Sequence, residues 1–379
     1  MVGERIERTT LNRTTLQRQH LLSRSEHSVL EVISHLIGLQ AQIPQDPYVG
    51  LWSRSADFEP DSLSQLLNAR SALRMVSLRG TIHLLSAADA VGLRAYAQEA
   101  LDQELRSHGE HKHHLADVDL EPVIAFAKPL LTANALTPTE LRALLQLEFP
   151  HLNAGALALA CRNRLPLVQT PPRGLWQQSG GLRLMTLEGW VGTDSAAISE
   201  VQSQAIVRRY LRAFGPASAQ DIVTWSRSPL LGRTMENMAT ELRQYTTANS
   251  RPLFDLADAE LMPGDSIAPP RFLPEYDNLL LSHRDRSRFG DDSRRQQLGQ
   301  ASAIKGTVLI DGLVGAAWHI SRDGRHKPAS QSPATLTIEH LDTLASSTRH
   351  AVEAEADFLN RLLTPGAAEH RVRLVKLSD

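Results

Sequence analysis

A single cysteine, Cys161, in 379 residues excludes an internal disulfide framework and a cysteine-based zinc site. Aromatic residues make up only 5% of the chain, which disfavours a sheet that stacks single-stranded bases. No apolar run approaches the roughly 18 residues of a membrane span. The opening MVGERIERTTLNR is too charged for a secretory signal, so a cytoplasmic location is the expectation. Lysine is also scarce, with five residues (112, 128, 305, 327 and 376) among forty lysines and arginines. The formal net charge of −2 advertises no overall basic field for nucleic acid. Arginine is the better bidentate phosphate ligand, but the same bias follows from a GC-rich genome.

What is present is a soluble globular composition, 42% hydrophobic and 22% charged, on a chain long enough for two to four domains, about the number its length suggests. One pattern occurs three times. In LSRSEHSVLEVISHLIGLQ, Ser23 or Ser25 can cap a helix whose apolar residues recur at helical spacing. In LTPTELRALLQLEF, Thr137 is the N-cap, Pro138 takes the first helical position and Glu140 completes a capping box. In FGPASAQDIVTWS, Ser218 caps and Asp221 takes the acidic third position. A second helical stretch and a hairpin follow each: ALRMVSLRGTIHLLS, then LPLVQTPPRGLWQQSGGLRLMTL, then a shorter one in PLFDLADAELMP. A repeated helix, helix, hairpin unit has the order of tandem winged helices. From Pro269 the texture is β-rich. AIKGTVLIDGLVGAAWHI carries a hairpin at Asp311-Gly312, ATLTIEHL is a strand, HAVEAEADFLNRLL a helix and RVRLVKL a closing strand.

The fold class expected is therefore α+β: three tandem winged-helix domains over residues 1–115, 116–195 and 196–268, then a C-terminal β-barrel-like domain over 269–379.

Within LIGLQAQIPQDPYVGLWSR, Gln40 and Gln42 stand one residue apart where an apolar run meets a proline-rich turn. An amide is no general base near neutral pH, but it can hold and aim a water. If catalytic, the pair suits a reaction whose leaving group needs little acid–base help. The plain alternative is two helix-end residues tying down backbone carbonyls before Pro44.

The strings GLQAQ with its Pro-containing turn and LWSR, MVSLRGTIHLLSAADA, PPRGLW, RRYLRAFGPASAQDIVTWS, and RFLPEYDNLLLSHRDR with LIDGLVGAAW resemble the winged-helix DNA glycosylases of the AlkZ and YcaQ type. The resemblance covers most of the chain. It implies three winged helices and a C-terminal β-barrel around a concave duplex channel, with a catalytic motif of Gln, apolar residue, then Gln or Asp. Here the motif is Gln40-Ala41-Gln42, amide rather than acid at the second place, which puts the chain on the AlkZ-like side. Ala41 is smaller than the apolar residue often found between them.

Guanine alkylated at N7 is already cationic and departs neutral, so a positioned water and some charge stabilisation suffice. The expected activity is a monofunctional glycosylase that releases N7-alkylguanine or bulkier N7 adducts, possible interstrand crosslinks included, and leaves an abasic site. AlkZ-like members are often tied to self-resistance against DNA-alkylating natural products. The partner expected is double-stranded DNA bearing alkylated guanine, bound by a monomer in the nucleoid, with no cofactor. No lysine lies near the glutamines in sequence to support a Schiff-base lyase. A winged-helix regulator without chemistry, or a lesion-binding homologue without catalysis, is the competing expectation.

Other residues offer two readings each. Arg54 suits a phosphate clamp or a solvated helix end. Arg79 and His83 flank the first hairpin and face DNA or, for His83, a half-buried satisfied position. Arg284, Arg286 and Arg288 alternate with Asp285 and Ser287, so on a strand they would project to one side toward a duplex, or form an ion-paired surface. His108, His111, His113 and His114 lack the partners of a zinc site and suit an exposed linker; no metal is expected. Glu275 and Asp277 fall in a resembling segment and have no assignable role.

Overall fold

Residues 4–247, 252–300, 305–322 and 332–377 are described in a computed structural model of the chain. The architecture is mixed α and β, with three sheets, and among the described residues no helix is long and apolar enough to cross a membrane. Three helix–helix–hairpin units follow one another. In the first, helix Val29–His35 is capped by Ser28, not by Ser23 or Ser25, and Glu31 closes a capping box. Ser25 instead accepts the amide of His27 and bridges to Ser55, so the helix begins one turn later than expected. Helix Pro60–Asn68 and the hairpin Ala72–Val76/Ile82–Ser86 complete the unit. The second has helix Pro138–Glu148, with the Thr137–Glu140 box in place, helix Ala154–Arg164, and strands Leu167–Gln169 and Leu184–Thr186.

The third unit has the Ser218–Asp221 box on helix Ala219–Ser226, then helix Pro229–Asn237. Its hairpin pairs Arg243–Thr246 with Pro252–Asp255, so PLFDLADAELMP holds only the return strand. The outgoing RQYT buries Tyr245 but exposes Arg243 and Gln244, which leaves no apolar alternation to read.

The first two hairpins are not separate. Strand Ala72–Val76 pairs with Leu167–Gln169, giving one five-stranded sheet across the expected boundary at residue 115. Against it lies a core shared by all three units, in which Tyr210, Phe214 and Trp225 pack with ring centroids 5.1–6.0 Å apart. The N-terminal segment packs elsewhere. Helix Arg8–Arg18 puts Leu16 against Leu273, Phe289 and Val314, and Glu4–Arg5 extends the third hairpin as a parallel strand.

The C-terminal strands are Arg271–Leu273, Gly306–Ile310, Leu313–Arg322, Ala334–His340 and His370–Lys376. They form an open sheet rather than the expected barrel, with Arg271–Leu273 and His370–Lys376 at opposite edges. The 18-residue helix Ser346–Leu363 returns the chain so that the last strand lies parallel to Ala334–His340, instead of closing onto the first. Asp311 and Gly312, with φ of 49° and 74°, make the two-residue turn anticipated for this hairpin.

The first unit and the C-terminal region meet at a buried ion pair. Arg54 donates to both carboxylate oxygens of Asp277 at 2.7 and 2.8 Å, with side-chain exposures of 0% and 1%. Removing one partner strands a buried charge, so Asp277→Ala should lower unfolding stability by about 3–5 kcal/mol. Chemical denaturation measures this, and a loss under about 1 kcal/mol would show that water reaches the pair.

Candidate active site

After helix Val29–His35 the chain reverses through Ile37 and Gly38, both at positive φ. A Cβ on Gly38 would stand 2.7 Å from the Leu84 carbonyl, so the tight approach requires glycine. The reversal delivers the two-residue strand Leu39–Gln40, whose partner is Ile82–Ser86, with Gln40 opposite His83.

Long-range contacts then pin the motif. Asn278 donates to the Gly38 carbonyl at 2.5 Å and accepts the Gln40 amide at 3.3 Å. The buried Arg74 donates to the Ala41 carbonyl at 2.7 Å, and the Ala41 amide bonds the Ile82 carbonyl at 2.7 Å. Arg79 donates to Gln40 Oε1 at 2.7 Å. Because a guanidinium has no acceptor, this contact fixes which end of the Gln40 amide faces it. The oxygen keeps one lone pair free. Gln40 is 7% exposed, whereas Gln42 is open to solvent, with its oxygen 3.5 Å from the Ile82 amide.

Arg79 sits at φ 59° and also donates to the Trp225 carbonyl at 2.6 Å, in the last turn of helix Ala219–Ser226. Its Nη2 is 3.3 Å from His83 Nε2. His83 Nδ1 faces the Thr81 carbonyl at 3.0 Å, so Nδ1 carries the hydrogen and Nε2 accepts. Burial, then the charge of Arg79, push the His83 imidazole down to about 3. At neutral pH neither His83 nor the two amides can protonate a departing base. Burial and Arg227 lower Arg79 to about 10, which leaves it charged.

Asp46 begins helix Asp46–Trp52, just beyond the glutamine loop, and is 9% exposed. Burial, then the charges of Glu275 and Asp277, push its carboxyl up to about 7. Asp46 Oδ2 and Glu275 Oε2 are both buried without a hydrogen-bond partner.

The other arginines divide. Arg54 is no phosphate clamp, because it is fully buried on Asp277. Arg79, half-buried, and His83, buried, turn to Gln40 and to each other. Ser282–Phe289 is a loop ending in a 3-10 turn at Ser287–Phe289, not a strand, so its arginines do not share a face. Arg288 is buried, donating to Thr15 Oγ1 at 3.0 Å and to the Pro216 carbonyl at 3.1 Å. Arg284 is exposed and Arg286 half-buried. His108 and His111 stack at 5.0 Å beside the helical turn Lys112–Leu115; among the described residues no three metal-ligating side chains converge.

The sequence profile of the AlkZ-like family, DNA glycosylase AlkZ-like, matches residues 33–362. The chain belongs to this family. It is 24% identical over 323 residues to an interstrand DNA cross-link repair glycosylase of Streptomyces sahachiroi, covering 80% of this chain and 85% of that protein. Its fold is similar to the solved structure of Streptomyces sahachiroi DNA glycosylase AlkZ, at a TM-score of 0.78 and 20% identity, covering 98% of this chain and all of that one. Family membership makes the chain a DNA glycosylase, a hydrolase of N-glycosyl bonds.

Asn278, Arg74 and Asp46 escape a sequence reading, although Asp46 is only four residues from Gln42. Asn278 is 238 residues from Gln40, and its one signal is adjacency to Glu275 and Asp277. For His83 the linkage sign is definite. The unfolded imidazole titrates near 6.5 and the folded one near 3, so the unfolded chain binds more protons between these values. Folding stability attributable to this group therefore falls as pH drops from about 6.5 toward 3. His83→Gln should show a shallower loss of stability between pH 7.5 and 5.0 in denaturant titrations, and an unchanged slope would contradict the neutral buried ring.

Proposed function

We propose that this glycosylase hydrolyses the N-glycosidic bond of N7-alkylguanine, including bulky N7 adducts, on double-stranded DNA. The observation that carries this is a pair of amides beside a histidine held neutral, so that no group touching the glutamines protonates the base. An unmodified purine leaves poorly without protonation, whereas an N7-alkylated guanine leaves as a neutral base. As the C1′–N9 bond breaks, its electron pair passes to the imidazolium ring and cancels the charge. Water supplies the new C1′–O bond and its proton goes to solvent. The free lone pair of Gln40 Oε1 and the exposed Gln42 amide would orient that water.

The three helix–helix–hairpin units would serve as winged helices along the duplex, with Arg284 and Arg286 at phosphates. The name of the Streptomyces sahachiroi relative supports interstrand crosslinks as substrates. Three of the lysines are engaged by Asp194, Glu339 and Thr343, which supports a product left as an abasic site.

The test is a duplex carrying one N7-methylguanine, incubated with protein and then heated in alkali. Wild type should generate the alkali-labile site, Gln40→Ala and Gln42→Ala should each slow it by about a hundredfold or more, and borohydride should trap no adduct. Full activity in the double variant would remove both glutamines from the chemistry. A second measurement concerns the arginines. Arg284→Ala and Arg286→Ala should weaken binding to every duplex and each reduce the log–log salt slope by about 1; an unchanged slope would take them off the phosphates.

A further inference from the structure

The charge balance around the glutamines has an unexplained member. Arg74 and Arg79 touch the motif directly, and among the described residues neither has a carboxylate within ion-pair reach. Both remain charged, so on their own they would repel a reaction centre that develops positive charge at C1′. Two carboxylates, Asp46 and Glu275, lie on the segments that lead from the motif or hold it. Asp46 lies on the turn that follows Gln42, its amide 3.2 Å from the Ile43 carbonyl. Glu275 lies on the segment whose Asn278 holds the Gln40 amide.

The fold has no use for these carboxylates. Asp46 is nine-tenths buried, in no ion pair, and its Oδ2 is unpartnered. Glu275 meets the Tyr276 hydroxyl, but its Oε2 is buried and unpartnered too. Asp46 at the start of a helix favours that helix's dipole, yet an exposed acid would do so without losing its water. Other charged groups of the surrounding elements have partners of their own. Asp277 is taken by Arg54, Glu31 closes its own cap, His35 meets the Arg18 carbonyl, and Arg271 donates to the Leu21 carbonyl beside Glu355.

We propose that Asp46 and Glu275 form the anionic wall of the site, which recognises the positive charge of the reacting sugar–base unit and supplies the carboxylate that Gln42 does not. This rests on the glycosylase reading above. The wall selects for cationic bases and steadies the sugar cation as the bond breaks. Asp46 would do so best once ionised, above about pH 7.

The experiment compares the full chain with Asp46→Asn and Glu275→Gln on two duplexes. One carries a neutral tetrahydrofuran abasic analogue and the other a protonated pyrrolidine analogue, and affinity is read by fluorescence anisotropy. Wild type should prefer the cationic duplex by about tenfold or more, and both variants should lose that preference while keeping the tetrahydrofuran affinity. Release of N7-methylguanine in single turnover should rise between pH 6 and 8 in wild type, and be about ten- to a hundredfold slower and flat in Asp46→Asn. Folding is not the obstacle. A carboxyl raised above its unfolded value costs stability as pH climbs from about 4 to 7, so Asp46→Asn should be at least as stable as wild type at pH 8.

Variants that keep both the preference and the wild-type rate overturn the wall. A wild type that releases base without preferring the cationic duplex overturns the wall and leaves the glycosylase reading standing. Preference without release does the reverse, and neither one defeats both.

Discussion

The buried pair of Arg54 and Asp277 is the constraint on which the site depends. Arg54 also donates to the Gly50 carbonyl at 3.0 Å and to Gln19 Oε1 at 3.3 Å, and Gln19 passes the contact on to the Ala213 carbonyl at 2.7 Å. One guanidinium thus ties the first unit to the C-terminal region and, through Gln19, to the third. The residue after Asp277 is Asn278, which holds the backbone on both sides of Leu39. A buried ion pair contributes little net stability once desolvation is counted, but it tolerates few geometries. Its worth here is register. If Asp277 shifts, Asn278 and the glutamine strand shift with it.

That register also explains the distribution of polarity. The motif is surrounded by groups that hold rather than react: a neutral imidazole, two guanidiniums with lowered but still high affinity for their protons, and backbone carbonyls. None of these groups can protonate a reluctant leaving group. On the reading proposed above, this polarity suits bases whose own charge weakens the bond, as an amide in the second motif position implies.

Legibility in the sequence followed locality. The boxes at Thr137–Glu140 and Ser218–Asp221, the Asp311-Gly312 turn and the glutamine pair at the end of an apolar run were readable, because each is decided within a few residues. The RQYT strand was hidden, since only one of its residues is clearly buried. The open sheet could not be told from a barrel, because closure depends on where an 18-residue helix returns the chain. Arg54 and Arg288 look like any surface arginine until distant partners cover them. Of the candidate site, the two glutamines were visible and the side chains that aim them were not.

The five-stranded sheet shared by the first two units has a mechanical consequence. Arg74 sits at the seam, paired with Gln169 across it, while its side chain holds the Ala41 carbonyl. A hinge between the two units would have to tear that seam, so they move as one stiff plate. Any force on the second unit is transmitted through Arg74 to the residue between the glutamines.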